Sequence, residues 1–187
     1  MNRNHSLVPI ALAILAGVAV STLIVLRLLG LICPYSVPTG AMTPAVSAGD
    51  HVFAEGFTYL KRKPQRGDVI VFKTDGIPLL PTSTIYVKRV VGIPGDHLEL
   101  SDGSLFIDGT RVALSNAYGE ISYKLPPQSG NISPITNVLV PADRYFVIGD
   151  NATNSLDSRF FGFVPAKNIK GRISICYWPP SRIGLVK

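Results

Sequence analysis

Lys88 lies inside an apolar, β-branched run, residues 85–91, and is the residue of this sequence that first suggests chemistry. Alternate residues of a strand share one face, so Lys88 shares its face with Tyr86 and Val90. An apolar wall of this kind would favour the neutral amine, because removal from water disfavours the charged form. A neutral lysine can take the proton of a hydroxyl and make that oxygen nucleophilic. Taken alone, however, such a lysine is more commonly a surface residue of an edge strand.

The other residues that often carry chemistry are scattered along the chain. The three histidines, His5, His51 and His97, are far apart in sequence and argue against a histidine-based active site. The two cysteines, Cys33 and Cys176, form neither a C-x-x-C motif nor part of a His/Cys cluster, so the sequence predicts no metal site and no disulfide framework. Whether these two thiols pair with each other stays open. We expect no cofactor.

Four segments after the N-terminal apolar region combine glycine, proline and polar residues in a distinctive order. They are residues 38–44, 67–72, 86–96 and 149–162. Each segment taken singly has a structural interpretation, since Gly-Asp and Pro-Gly-Asp sequences form turns. Together they resemble the bacterial-type signal peptidase family (type I, leader peptidase). The resemblance runs from the apolar region almost to the C-terminus.

The resemblance implies a serine–lysine active site in which one residue is replaced. The first motif of the family reads Ser-Gly-Ser-Met-x-Pro, and its second serine is the nucleophile; Ala41 stands at that position here. Lys88 matches the general base, and Ser155 matches the hydroxyl that orients its amine. Thr39 matches a hydroxyl that stabilises the oxyanion together with the backbone N–H of residue 41.

The resemblance also implies residues that support this site. Asp157 and Arg159 match a structural ion pair behind it, and Asp150 belongs to the same motif. Such a pair is more often scaffold than catalyst. Arg89 points to the opposite strand face and is expected to be a solvated or structural charge. A core position is the alternative for Met42. The residues expected to line the substrate cleft are Met42, Pro44 and Tyr86.

Ala41 leaves two interpretations open. In one, the natural protein binds signal peptides without cleaving them. In the other, the natural residue is serine, and Ala41 is an engineered substitution that prevents self-cleavage and lets a substrate be trapped. We favour the engineered variant, because Lys88, Ser155 and Thr39 are all present and a buried amine has little use without a serine to activate. A specialised peptidase of the same clan, acting on pilins or conjugation proteins, is a further alternative.

The implied function is that of a serine endopeptidase that removes N-terminal signal peptides from exported preproteins. By resemblance, the substrate has small residues (Ala-x-Ala) before the cut and binds as an extended strand. The implied partners are these signal peptides, membrane lipid and the protein export machinery. The formal net charge is +6, but the dense basic run, residues 61–66, lacks interleaved aromatic residues. A solvated or lipid-facing loop is therefore favoured over nucleic-acid binding.

The elements that must position these residues begin with an apolar segment, residues 7–26, which carries no charge. At about 1.5 Å rise per residue it would span roughly 30 Å, the thickness of a bilayer core. The run is longer than the apolar region of a cleavable signal peptide, so residues 1–32 are predicted to form a tail and a retained anchor. Basic residues occur on both sides, so charge does not fix the orientation. A single-pass protein of the cytoplasmic membrane, with its C-terminal domain outside, follows from the implied function.

Residues 33–187 predict a mainly β, antiparallel, barrel-like peptidase domain. Asp102-Gly103 and Asp108-Gly109 predict tight hairpin turns. No long amphipathic helix is expected after the anchor. Residues 115–137 are polar and rich in proline and glycine, which indicates a long loop or small insertion. The expected strands lie at 51–54, 68–72, 85–91, 98–100, 105–107, 145–148 and 171–177.

Overall fold

The computed structural model describes residues 7–125 and 135–186. Its first element is helix α1 (Leu7–Leu28), which coincides with the predicted anchor. Within the described residues, α1 is the one helix that is long and apolar enough to cross a membrane, and no residue of its apolar stretch is buried against the rest of the protein. The predicted tail, residues 1–6, lies outside the described residues.

After α1 the described chain is built from short strands and single helical turns, as the alternating patterns predict. The later helices are α2 (Thr58–Lys61) and α3 (Ser158–Phe161). The strands are β1 (Ile32–Ser36), β2 (His51–Glu55), β3 (Val69–Lys73), β4 (Ile85–Gly92), β5 (His97–Ser101), β6 (Ser104–Ile107), β7 (Thr110–Val112), β8 (Ser115–Asn116), β9 (Gly119–Glu120), β10 (Asn137–Leu139), β11 (Arg144–Ile148), β12 (Val164–Pro165), β13 (Ile169–Trp178) and β14 (Gly184–Leu185). All seven predicted strands are present, and the mainly antiparallel β class is confirmed.

The large sheet has the strand order β1-β2-β13-β3-β4-β11-β12, and β14 pairs with β13. A second sheet has the order β10-β5-β6-β7, and β8 pairs with β9. The pairings are antiparallel throughout these sheets. β1 stands at one edge of the large sheet, and residues 85–88 precede the β4–β11 pairing. Among the described residues, each of these two segments therefore has one backbone edge without a strand partner, and both segments line the same cleft.

β3 packs against hydrophobic cores on both faces of the large sheet. Val69 and Val71 belong to the hydrophobic core on one face, and Ile70 and Phe72 belong to the core on the other. This arrangement follows from the period of two along a strand. The continuous apolar run of β3 is therefore a strand buried on both sides.

The second sheet is organised by the two predicted hairpin turns. Asp102-Gly103 joins β5 to β6 and Asp108-Gly109 joins β6 to β7. All four residues have positive φ, between 50° and 77°, which is the backbone of a type I′ turn and suits Asp-Gly.

The segment predicted as a loop or insertion, residues 115–137, is only partly described. It begins with the β8–β9 hairpin, and Ile121 and Tyr123 then pack into the core beneath the second sheet. Residues 126–134 lie outside the described residues, and Asn137 begins β10. Residues 115–125 are thus attached to the body of the domain.

The two cysteines are free and lie on opposite sides of β2. Cys33 of β1 is opposite Ala54, and Cys176 of β13 is opposite Val52. Neighbouring strands are about 4.8 Å apart, so β1 and β13, which lie on either side of β2, are about 10 Å apart. That exceeds the roughly 7 Å between Cα atoms that a disulfide can bridge, and both thiols are unbonded.

Candidate active site

The walls of the site are formed by β1 with the loop that follows it, and by the first half of β4. β4 pairs with β3 from Ile85 onward, but its pairing with β11 begins only at Arg89. Residues 85–88 therefore have one edge with no neighbouring strand among the described residues. A cleft of about 510 Å³ opens between these walls. The sequence-predicted site residues that line the cleft are Thr39, Ala41, Met42, Tyr86 and Lys88.

Ala41 is held in a tight turn by Asn151. The Asn151 side-chain amide donates to the Gly40 carbonyl at 3.2 Å, and its backbone N–H donates to the Ala41 carbonyl at 3.1 Å. In a trans peptide the C=O and N–H point in opposite directions, so the Ala41 N–H points away from Asn151. Sequence reasoning placed Asn151 in a motif but missed this role, because the contact spans 111 positions and leaves no local signal.

Gly149 allows the chain to pass close behind this turn. A Cβ atom at residue 149 would lie 2.4 Å from the Ala41 carbonyl oxygen and 2.4 Å from Ser155 Oγ. Side-chain carbons do not approach oxygen atoms so closely, so only glycine fits here. The Gly-Asp pair of the fourth motif is thus a point of close approach rather than only a turn.

Lys88 is buried in the cleft wall, with 4% of the residue exposed. Burial lowers the pKa of its amine to about 8, and the nearby Asp157 carboxylate opposes that shift. Nζ lies 5.4 Å from the centroid of the Tyr86 ring, so the two residues share a face as the strand period predicts. Nζ donates a hydrogen bond to the Val87 carbonyl at 3.2 Å. A large fraction of this amine is therefore neutral at mildly alkaline pH.

Ser155 lies beside the turn but is not joined to Lys88. Its neighbours Asn154 and Leu156 line the cleft, whereas Ser155 is buried. Within the described part of the chain, Ser155 Oγ has no hydrogen-bond partner. Ser155 Oγ and the Ala41 carbonyl oxygen both lie against Gly149. The structure shows no hydrogen bond between the Ser155 hydroxyl and the lysine amine.

Asp157 and Arg159 form an ion pair at 2.8 Å, and both side chains are fully buried. Asp157 also accepts a hydrogen bond from the Gly149 N–H at 3.2 Å, which supports the close approach described above. Arg159 donates to the carbonyl of Ala152 at 2.5 Å. The pair therefore fixes the backbone on both sides of Ser155.

A second buried ion pair joins Arg89 to Asp150, with two contacts of 2.7 Å. Arg89 also donates to the Gly67 carbonyl at 2.7 Å. Of the two expectations for Arg89, the structural charge is the one observed, since 2% of the residue is exposed. The pair links the second, third and fourth sequence motifs. It was not foreseen, because no spacing in the sequence connects Arg89 to Asp150.

The remaining predicted residues divide between the cleft and its surroundings. Thr39 is exposed in the cleft, whereas Met42 is almost fully buried in the core that underlies it. Met42 thus combines the two positions expected for it. Pro44 does not line the cleft; it lies in a neighbouring groove with Asn116 and Tyr118. No group of three or more His, Cys, Asp or Glu side chains in residues 7–125 and 135–186 is placed to hold a metal ion.

The arrangement can supply a base and a donor to one bound carbonyl group. The neutral amine of Lys88 can accept a proton from a hydroxyl at position 41. The N–H of residue 41 is free to donate to a developing oxyanion, because no described group accepts a hydrogen bond from it. The open edges of β1 and β4 offer backbone partners to an extended peptide.

The known proteins whose sequences are similar to this chain belong to one family. Residues 8–178 match the family model described as signal peptidase, peptidase S26. The chain is 32% identical over 151 residues to the probable signal peptidase I-2 of Synechocystis sp., covering 80% of this chain and 65% of that protein. It is 35% identical over 156 residues to the thylakoidal processing peptidase 1, chloroplastic, of Arabidopsis thaliana, covering 80% of this chain and 43% of that one. Several of these relatives are thus longer, and the chain spans less than two thirds of their length.

Two further comparisons concern a shorter relative and a solved structure. A signal peptidase I of Leptolyngbya laminosa is 33% identical over 151 residues, covering 79% of this chain and 70% of that protein. The crystal structure of a signal peptidase I from Enterococcus faecalis V583 superposes with a TM-score of 0.43 at 30% identity, covering 59% of this chain and 97% of that chain.

Proposed function

The chain belongs to the signal peptidase family, peptidase S26, and from that premise we propose that it is built as a membrane-bound endopeptidase that removes signal peptides from exported preproteins. The observation that carries the proposal is Lys88, a buried lysine with a pKa near 8 that lines the same cleft as Ala41. Burying an amine in an apolar wall costs free energy, so a buried lysine suggests a function for its neutral form. A base for a serine at position 41 is such a use.

In the serine form, the reaction proceeds by transfer of the acyl group to the enzyme. Ser at position 41 attacks the scissile carbonyl through Oγ while Lys88 Nζ takes the hydroxyl proton. The N–H of residue 41 and the Thr39 hydroxyl stabilise the oxyanion. The protonated lysine then gives its proton to the leaving amine, and the mature chain departs. A water, deprotonated by Lys88, hydrolyses the acyl-enzyme and releases the signal peptide.

With alanine at position 41, the chain keeps the cleft, the base and the N–H donor but cannot form the acyl-enzyme. We propose that this form binds signal peptides without cleaving them and that the cleaving form carries serine. The peptide lies extended between the open edges of β1 and β4, with small side chains before the cut. The domain acts on the extracytoplasmic side of the membrane, held there by α1.

The direct test restores the hydroxyl. The full chain with Ala41→Ser, in detergent micelles, should cleave a preprotein after an Ala-x-Ala sequence, and Ala41→Ser combined with Lys88→Met should not. The matched control is Ala41→Ser with Lys170→Met, which removes an exposed lysine and should leave cleavage intact. Failure of the Ala41→Ser protein to cut any preprotein contradicts the proposal.

Ala41 itself favours a second candidate, a non-catalytic signal-peptide-binding membrane protein. This candidate and an engineered Ser→Ala variant predict different codons at position 41 of the natural gene. An alanine codon there supports the binding protein, and a serine codon supports the peptidase.

A further inference from the structure

A second groove lies immediately beyond the Ala41 turn. It has a volume of about 270 Å³, equal to roughly nine waters at about 30 Å³ each. It begins at Thr43, directly after Met42, the last residue of this segment that lines the cleft. We call it the exit groove, and its lining includes Asn116, Tyr118, Glu120, Lys124, Asp150 and Asn151.

We propose that the exit groove binds the first residues of the mature chain, those that follow the scissile bond, and selects against basic residues there. The inference rests on the proposed function, because it takes the scissile carbonyl to lie at Ala41 and Lys88. These two positions lie at the C-terminal ends of the segments that form the cleft walls, residues 35–42 and 84–88. A peptide cut there fills the cleft on one side of the bond only. Its other side must leave past the turn.

Asn151 connects the two sites physically. Its backbone N–H and side-chain amide hold the Ala41 turn, and the same residue lines the exit groove. An extended peptide advances about 3.3 Å per residue. Thr43, which lines the exit groove, is two residues from Ala41, so the residues that follow the scissile bond are within reach of the groove.

One wall of the exit groove carries an exposed aromatic ring on an anchored backbone. Tyr118 forms the tip of the β8–β9 hairpin and is 67% exposed. Its backbone N–H donates to Asn116 Oδ1 at 2.9 Å, and Asn116 Nδ2 donates to the buried Asp150 at 3.1 Å. The hairpin is thus attached to the scaffold of the active site. An exposed aromatic ring held in this way offers contact area to varied side chains at low entropic cost.

The charged residues around the exit groove give it a net positive charge. Two of the three charged residues in its lining are carboxylates that form ion pairs with arginines outside the groove, Asp150 with Arg89 and Glu120 with Arg111. Lys124 also lines the groove, is exposed and forms no ion pair among the described residues. The net effect is one uncompensated positive charge. Acidic or neutral residues early in the mature chain should bind better than lysine or arginine.

The chain with Ala41 suits the test, because it binds peptides without consuming them. Calorimetry would use the full chain in detergent micelles and four peptides with one signal-peptide sequence. One ends at the cut site as an amide, and the others continue with four mature residues that are neutral, contain two aspartates or contain two lysines. The neutral extension should tighten binding over the truncated peptide. The acidic peptide should bind at least about fourfold more tightly than the basic one, since attraction to Lys124 in the first and repulsion by Lys124 in the second each contribute up to about fivefold.

Three variants separate the causes. Lys124→Glu should reverse the order of the acidic and basic peptides, whereas Lys167→Glu, an equal charge change at an exposed lysine outside the groove, should preserve it. Tyr118→Ala should remove the gain from the neutral extension. If the truncated peptide binds but extensions add nothing, or if Lys124→Glu preserves the order, the inference is wrong and the proposed function stands. If no peptide binds, the proposed function fails, and the inference with it.

Discussion

Replacing Lys88 with methionine in the chain that carries Ala41 should stabilise the protein near neutral pH. The folded state lowers the pKa of this lysine from 10.5 to about 8. At about 1.36 kcal/mol per pKa unit, holding the charged amine in the cleft wall costs roughly 3 kcal/mol below pH 8. Methionine has a similar length and carries no charge. It loses the hydrogen bond to the Val87 carbonyl, which offsets the gain by about 1 kcal/mol, so the net stabilisation at pH 7 is about 2 kcal/mol.

The pH dependence has a definite sign. Between the two pKa values the unfolded state binds more protons than the folded state, so the stability of the lysine protein rises with pH in that window. The advantage of Lys88→Met is therefore full below pH 8 and disappears by pH 10.5. Above that value the variant is slightly less stable, since only the lost hydrogen bond remains.

The measurement is guanidinium unfolding of the full chain in detergent micelles at pH 7, 9 and 10.5. Trp178, the only tryptophan of the sequence, is half-exposed and reports on the β domain. Other titrating groups are common to both proteins and cancel in the difference. Lys170→Met is the matched control, because it removes an exposed lysine and should give no pH-dependent difference. A Lys88→Met effect that is constant across the three pH values would refute the desolvated amine.

Three further outcomes are expected. The kcat/KM of the Ala41→Ser protein should fall about tenfold per pH unit below pH 8, because only neutral Lys88 accepts a proton, and a pH–rate profile on a fixed peptide checks this. Gly149→Ala should cost about 1–3 kcal/mol and abolish cleavage by the serine form, whereas Gly184→Ala, where a Cβ meets nothing, should be neutral in unfolding and cleavage assays. Arg89→Met strands a buried carboxylate and should destabilise by about 3–5 kcal/mol, with the loss shrinking at acidic pH, measured by denaturant unfolding.

The sequence allowed correct prediction of structure wherever the cause is local. The run of β4 and the Asp-Gly turns depend on neighbouring residues alone, and both are where the pattern placed them. The interactions that shape the site could not be predicted in the same way. Asn151 contacts Gly40, which lies 111 positions earlier in the sequence, and the partner of Arg89 lies 61 positions away. Such contacts are consequences of the sheet order, which no local spacing encodes.

The segment predicted as a loop, residues 115–137, also shows the difference between local patterns and long-range packing. Its polar, proline- and glycine-rich composition describes the surface of residues 115–125 correctly, since most of these residues are at least partly exposed. Composition misses Ile121 and Tyr123, two apolar side chains that alternate with exposed neighbours and are buried beneath the second sheet. Two residues are too few for a strand pattern to stand out. They nevertheless attach the wall of the exit groove to the core.

The two interpretations of Ala41 assign different work to Lys88, and this difference can be measured without cleavage. If the amine exists to activate a serine, it contributes little to holding an uncleaved peptide. Lys88→Met should then leave the affinity of the Ala41 chain for a signal peptide unchanged within about twofold. If the protein is a natural binder, the buried amine is retained because it donates to the bound peptide, and its loss should weaken binding by about two- to tenfold, the value of one hydrogen bond. Thr39→Val provides the comparison, since it removes another polar donor that lines the same cleft. Weakening by Lys88→Met alone would argue against a base and for a binding role of this lysine.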